Sequence, residues 1–327
     1  MTVLYLTEPG TTLAARSRTL VVRSGTVTRA RVPVLNVQRV AVLAPAHLTS
    51  AAVALCAREQ VELVVMARGG RGIVRLGASD AGLELRGAQH RRAEDPAFCL
   101  ELARAVVRGK VRNQRRLLSR SAEGREPPVA QARAALDGVL AKVEGTATVA
   151  ALRGLEGHAS AHYFRALRAL LNPEYGFRVR NRRPPRDSAN ALLSFAYTLL
   201  TAEATAAVAA AGLEPALGFF HRARGGRPAL ALDLVEEFRA PVADALVLQL
   251  TGWRAVSPDD FRPRGGGVRM RGRARRRFLE GYEQKMGKPF TLRGGGETTL
   301  REAVRTQAAA LAAAIRTGGS YVPFETP

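Results

Sequence analysis

Apolar positions change their period part-way along the chain. Up to about residue 77 they come in short β-branched runs separated by turn residues, at 3–6, 19–23, 27–32 and 37–43, which predicts strands. Ser24-Gly25 supplies a hairpin turn. Residues 50–59 predict a short helix, 61–66 an apolar strand and 73–76 a strand that closes the unit. Asp95-Pro96 then offers an N-cap followed by proline in the first helical position. Beyond it the period is helical, with helices predicted at 98–118, 129–143, 149–171, 188–211, 231–250, 273–286 and 300–316. The pattern is that of an α+β protein. A β-rich, sandwich-like N-terminal domain at 1–85 and a hinge at 86–95 precede a larger all-α domain at 96–327.

Composition adds the kind of partner. A 46% hydrophobic share over 327 residues supports a folded chain of about two domains. Fifty basic against 28 acidic residues leave +22, and all the basic residues but Lys110, Lys142, Lys285 and Lys288 are arginine. An Ala/Arg bias reflects a GC-rich genome, which selects the basic residue but not the net charge. Such an excess predicts an anionic partner, most simply nucleic acid. An anionic membrane would call for a basic amphipathic or lipidated terminus, and neither is visible. The first nine residues lack a basic run and meet Glu8 too early for a signal peptide, and the apolar run 308–315 is too short to span a bilayer. Cys56 and Cys99 are too few for a zinc cluster or a disulfide framework. They are expected to be reduced core residues of a cytoplasmic protein.

The candidate chemistry lies in four places. Glu156 falls beside the apolar stripe Leu152, Leu155, Ala159 and Leu170, with Ser160 and Tyr163 on its own face. A carboxylate there needs pairing or a metal, although by itself it also fits an arginine-paired surface residue. His221 precedes an Arg/Gly/Pro loop, and Asp233 and Glu236 follow three residues apart on one helix face. Asn190, Ser194 and Tyr197 form a polar ladder behind an Asp187 cap, suited to touching a nucleotide or to orienting a carboxylate. The glycine-opened, arginine-dense stretch 261–277 offers phosphate forks. Asn190, Ser194, Tyr197, Arg222, Arg264, Arg269 and Arg276 are the candidate DNA contacts. His158 and His162 have the i,i+4 spacing of helical zinc sites, but no glutamate follows His158, so the metalloprotease signature fails.

Taken in order, these segments resemble the CRISPR-associated integrase of spacer acquisition. The likeness rests on Leu4-Tyr-Leu-Thr-Glu-Pro-Gly10, Val107-Arg-Gly-Lys110, Arg112-Asn-Gln114, Leu155-Glu156-Gly, the Pro184 to Tyr197 stretch, Gly218-Phe-Phe-His221 and the Leu230 to Arg239 stretch. It implies an N-terminal β domain that forms a homodimer and a helical catalytic domain. Glu156, His221 and Glu236 are the implied metal ligands, with Asp233 an acidic support near the same metal. Mg²⁺ or Mn²⁺ suits two carboxylates and an imidazole. The implied reaction is transesterification, in which the 3′-hydroxyl of incoming spacer DNA attacks a repeat phosphodiester. The implied partners are spacer and repeat DNA and a small second adaptation protein that bridges two dimers into a heterohexamer. Ala240 stands where the family commonly has proline, which bears on helix geometry and not on the ligand set. Two other readings compete: a non-catalytic basic DNA-binding scaffold, and a zinc hydrolase built on His158 and His162.

Overall fold

The computed structural model describes residues 2–66, 73–76, 82–120, 127–182, 184–222, 227–292 and 294–327. The chain divides after residue 81 into a strand-rich unit, which also takes in Arg227, and a larger helical one, the fold class expected.

The first unit contains β1 (Thr2–Leu6), β2 (Thr11–Arg16), β3 (Thr19–Ser24), β4 (Val27–Pro33), β5 (Val37–Val42), β6 (Ala46–Leu48), helix α1 (Ser50–Arg58), β7 (Glu62–Met66) and β8 (Ile73–Leu76). They make two four-stranded sheets, ordered β1-β5-β7-β8 and β4-β3-β2-β6. Leu6, Val40 and Leu63 from one sheet and Leu13 and Leu20 from the other share a core with Leu55 and Cys56 of α1. Gly25, at φ 58°, opens the tight turn in which Ser24 pairs with Val27. The period reading passed over β2, whose positions are mostly threonine and alanine, and β6, which has three residues. Neither carries an apolar alternation strong enough to read.

The second unit contains α2 (Leu83–Ala93), α3 (Pro96–Arg120), α4 (Pro127–Val143), α5 (Val149–Leu170), α6 (Ser188–Ala210), α7 (Ala229–Phe238), α8 (Ala245–Gly252), the hairpin β9 (Phe261–Arg264) and β10 (Gly267–Met270), α9 (Gly272–Gly287), the hairpin β11 (Pro289–Thr291) and β12 (Glu297–Thr299), and α10 (Leu300–Thr317). Most of the segment expected to be a hinge is α2, which belongs to this unit. Its period is faint because it buries only Leu85 and Gln89, one of them polar. Gln89 is fully buried and pins the 214–217 loop, donating to Glu214 O and Leu217 O at 3.0 and 2.8 Å and accepting from Glu214 N at 2.8 Å. Among the described residues α6 is the one helix long and apolar enough to cross a bilayer, yet 72% of its apolar window is buried within the protein, as a core helix would be.

The helix predicted at 231–250 is α7 and α8 joined by a π-helical segment, Arg239–Asp244. Pro241 has no N–H for the α-helical ladder, and a π turn absorbs that loss without ending the helix. The wider turn leaves Arg239 and Asp244 both facing inward, where they meet the site described next.

Candidate active site

Glu156 projects from α5, whose stripe buries Leu152, Ala159, Tyr163, Ala166 and Leu167. Thr148 caps the helix by accepting from Ala151 N at 3.1 Å. Ser160, one turn on, donates to Glu156 Oε1 at 2.8 Å. Arg153, one turn back, donates through Nε to Phe220 O at 3.1 Å and lays its guanidinium over the Phe220 ring. That grip ties the Glu156 helix to the segment carrying His221. Gly218 lets this segment fold tightly, since a Cβ there would lie 2.7 Å from Ala229 C and 2.8 Å from His221 O. Residues 223–226 of the following loop lie outside the described residues.

Asp233 is 1% exposed and shapes the segment from below. It accepts from Phe219 N at 2.8 Å, Phe220 N at 3.1 Å, His221 N at 2.8 Å and His221 Nδ1 at 2.7 Å. Four donors on two oxygens occupy its lone pairs. Asp233 therefore orients the imidazole and turns Nε2 toward Glu236, whose Oε1 is 3.9 Å away. This is the carboxylate–histidine arrangement that commonly stands behind a metal-binding imidazole.

Glu156 and Glu236 meet at a lysine. The Lys110 ammonium, from α3, bonds Glu156 Oε1 and lies 2.7 Å from Glu236 Oε2, with its side chain 4% exposed. Arg239 donates to Glu236 Oε1 at 3.0 Å. Burial acts to raise the Glu236 carboxyl, but Arg239, Lys110 and His221 outweigh it and hold the group well below the usual carboxylate range. For Arg239 burial acts the other way, and Glu236, Tyr197 and Asp244 keep its guanidinium firmly charged. Glu236 Oε2 is buried, and Lys110 is the cation that faces it.

These side chains are of the type that could hold a divalent cation: two carboxylates, one of them buried, and an oriented imidazole nitrogen. Among the described residues no three His, Cys, Asp or Glu side chains are gathered as a ready cage. The reason is visible in the geometry, since the Lys110 ammonium stands between the two glutamates.

A family model for CRISPR associated protein Cas1 matches residues 4–284. The chain belongs to the Cas1 family. It is 39% identical over 290 residues to CRISPR-associated endonuclease Cas1 3 of Thermus thermophilus, covering 87% of this chain and 84% of that one. A second relative from that organism, CRISPR-associated endonuclease Cas1 1, is 37% identical over 321 residues and 98% of each chain. Among solved structures, a casposase bound to integration product aligns over 100% of this chain and 94% of its own with a TM-score of 0.86 at 20% identity. A Cas1 protein from Thermotoga maritima covers both chains fully with a TM-score of 0.83 at 22% identity. The strand-rich unit followed by a helical one is thus the Cas1 fold.

Within the polar ladder on α6, Asn190 faces inward, while Ser194 and Tyr197 are half-buried. Asn190 is fully buried, accepting from Arg180 Nη1 at 2.7 Å and Asn181 N at 3.0 Å and donating to Val179 O at 2.9 Å. Its amide holds the 179–181 loop, so the expected DNA contact is corrected to a loop clamp. Ser194 accepts from Arg180 Nη2 at 3.1 Å. Tyr197 bonds Asp244, which also accepts from Tyr163 at 2.7 Å. Arg239 stacks over the Tyr197 ring, 4.1 Å from its centroid. Tyr197 thus contacts a carboxylate, that of Asp244. Arg222, Arg264 and Arg276 are exposed and Arg269 is half-buried. The β9–β10 hairpin that carries Arg264 and Arg269 is fastened by Val268 N donating to Pro185 O at 2.8 Å. His158 and His162 pack their rings together 4.6 Å apart on α5, with His158 exposed and Arg165 near His162.

Sequence reading missed Lys110 as a site residue. A signal was there: four lysines stand among 46 arginines, and this one falls three and four residues after Val107 and Val106, on the apolar face of α3. A compact ammonium fits between two carboxylates where a planar guanidinium would force them apart.

Proposed function

We propose that this protein is a divalent-metal-dependent DNA endonuclease and integrase that inserts spacer DNA into CRISPR arrays by transesterification. The observation that carries the reading is the position of Glu236, which Lys110 links to Glu156 and whose Oε1 lies 3.9 Å from His221 Nε2. Glu156, Glu236 and His221 Nε2 would hold Mg²⁺ or Mn²⁺. When bound, the ion supplies Lewis-acid polarisation of the scissile phosphate and a lowered pKa for the attacking hydroxyl. Asp233 keeps His221 in the tautomer whose Nε2 is free to ligate. Lys110 and Arg239 place positive charge where a phosphodiester would gather negative charge. In joining, the spacer 3′-oxygen forms a bond to phosphorus as the bond to the repeat strand's 3′-oxygen breaks, so one phosphodiester replaces another.

DNA as partner follows from the +22 charge, with Arg222, Arg264, Arg269 and Arg276 as candidate contacts. A solved Cas6-RT-Cas1–Cas2 complex contains a chain of the same fold, with a TM-score of 0.85 at 23% identity, this chain spanning 36% of that one. It supports a small second adaptation protein as partner. The reading extends to a homodimer and a heterohexamer.

The test is strand joining on a repeat substrate with Mn²⁺, purified protein and its partner. Alanine at Glu156, His221 or Glu236 abolishes joining and leaves DNA affinity within about threefold, because these side chains serve chemistry and not the phosphate groove. Equal loss of binding and joining counts against it. The scaffold reading draws on one observation, Lys110 already neutralising the glutamates. Absence of turnover on branched DNA across a Mn²⁺ titration would favour that reading.

A further inference from the structure

Glu237, next to the proposed ligand Glu236, is 0% exposed and meets a different set of partners. It is the anchor of the segment 318–327. Tyr321 Oη bonds Glu237 Oε1, Phe324 N bonds Oε2, and Gln307 Nε2 of α10 donates to Oε2 at 3.2 Å. Three donors converge on a group that, as a carboxylate, only accepts. Phe324 also stacks on Phe238, with ring centroids 4.8 Å apart and planes 13° apart.

The same segment grips α3. Asn113, one turn beyond Lys110 and 2% exposed, donates to Glu237 O and Phe324 O, both at 2.8 Å, and accepts from Thr326 N at 3.0 Å. Gly109, immediately before Lys110, admits Pro323 at a spacing where a Cβ would come within 2.6 Å of it. Arg112 pairs with Glu325. The segment therefore bonds to the neighbours of Lys110 on one helix and of Glu236 on another.

We propose that Glu237, Asn113 and the 318–327 segment are positioning elements that set the separation of Lys110 on α3 from Glu236 on α7. A bridge of side-chain amide, carboxylate and stacked rings fixes the spacing of the two helices, and the Lys110–Glu236 attraction weakens as that spacing grows. The proposal rests on the role given above to Glu236, and a misplacement of about 1 Å in such a constellation lowers rate by as much as ~100-fold.

Tyr321→Phe deletes one donor without changing volume, and Glu237→Gln turns an acceptor oxygen into a donor amide facing other donors. Both variants are expected to join strands at least about tenfold more slowly, with KM for DNA unchanged and folding intact at the assay temperature. Each is then combined with Lys110→Met in a denaturation cycle, which needs no activity. Coupling of at least about fivefold in the unfolding equilibrium constant beyond the product of the single changes is expected. Additive denaturation effects, or an unchanged joining rate in Tyr321→Phe and Glu237→Gln, overturn the proposal. A wild-type protein that joins no strands defeats the integrase reading alone, since the denaturation cycle still decides the positioning.

Discussion

At the scale of single residues, neighbouring acids in one helix do different work because they meet different donors. Asp233 is saturated by backbone and imidazole, Glu236 faces cations, and Glu237 is buried among neutral donors. Asp233→Asn, which weakens the grip on His221 Nδ1, is expected to lower Mn²⁺ affinity by about 10- to 100-fold. Titration of Mn²⁺ into the free protein, followed by electron paramagnetic resonance, checks this with DNA absent. Lys110→Met leaves two glutamates facing each other without their ammonium. It is expected to cost about 3–5 kcal/mol in metal-free protein, as breaking a buried pair does, with much of the loss regained on adding Mn²⁺. Thermal melts with and without the ion measure both effects. Glu236 gives an acid-limb prediction whose sign follows from its lowered folded pKa. The stability it contributes is present above its ordinary value of 4.5 and is lost as pH falls below that toward the folded value. Melting temperature against pH is expected to fall more steeply on acidification in the wild type than in Glu236→Gln.

Elements hold these residues in place through a few close approaches. The π-helical Arg239–Asp244 segment turns one helix into two inward-facing positions, so Arg239 reaches Glu236 while Asp244 receives two tyrosines. The arginine-rich β9–β10 hairpin is seated by Gly267, where a Cβ would come 2.4 Å from Pro185 O. Gly267→Ala is expected to destabilise by about 1–3 kcal/mol, the cost of overpacking, and to weaken DNA binding by moving Arg264 and Arg269. Denaturant midpoints and a binding titration separate these two effects. The π segment was read as plain helix because Pro241 sits in an apolar period that runs on unbroken. The 86–95 stretch was read as a hinge for the opposite reason, since the residue that fixes α2 most tightly is the polar Gln89.

For the whole molecule, charge is the property that acts over the longest range. DNA binding at +22 is expected to weaken by about 10³-fold or more between 50 and 200 mM salt if six or more phosphates are neutralised. A flat plot of log affinity against log salt would remove the basic-surface argument. The strand-to-helix change of period, the net charge, the shared face of Asp233 and Glu236, and the ordered Cas1 segments were all determined along the chain, because period and composition are local properties. What only tertiary structure decided were contacts between distant segments: Lys110 between Glu156 and Glu236, Asp233 turned to the His221 segment, Asn190 facing inward, and residues 318–327 fastened to Glu237. None of these alters the local apolar pattern, so nothing in a single window of residues encodes them. They arise when α3, α5 and α7 pack and buried charges and amides must find partners across the core.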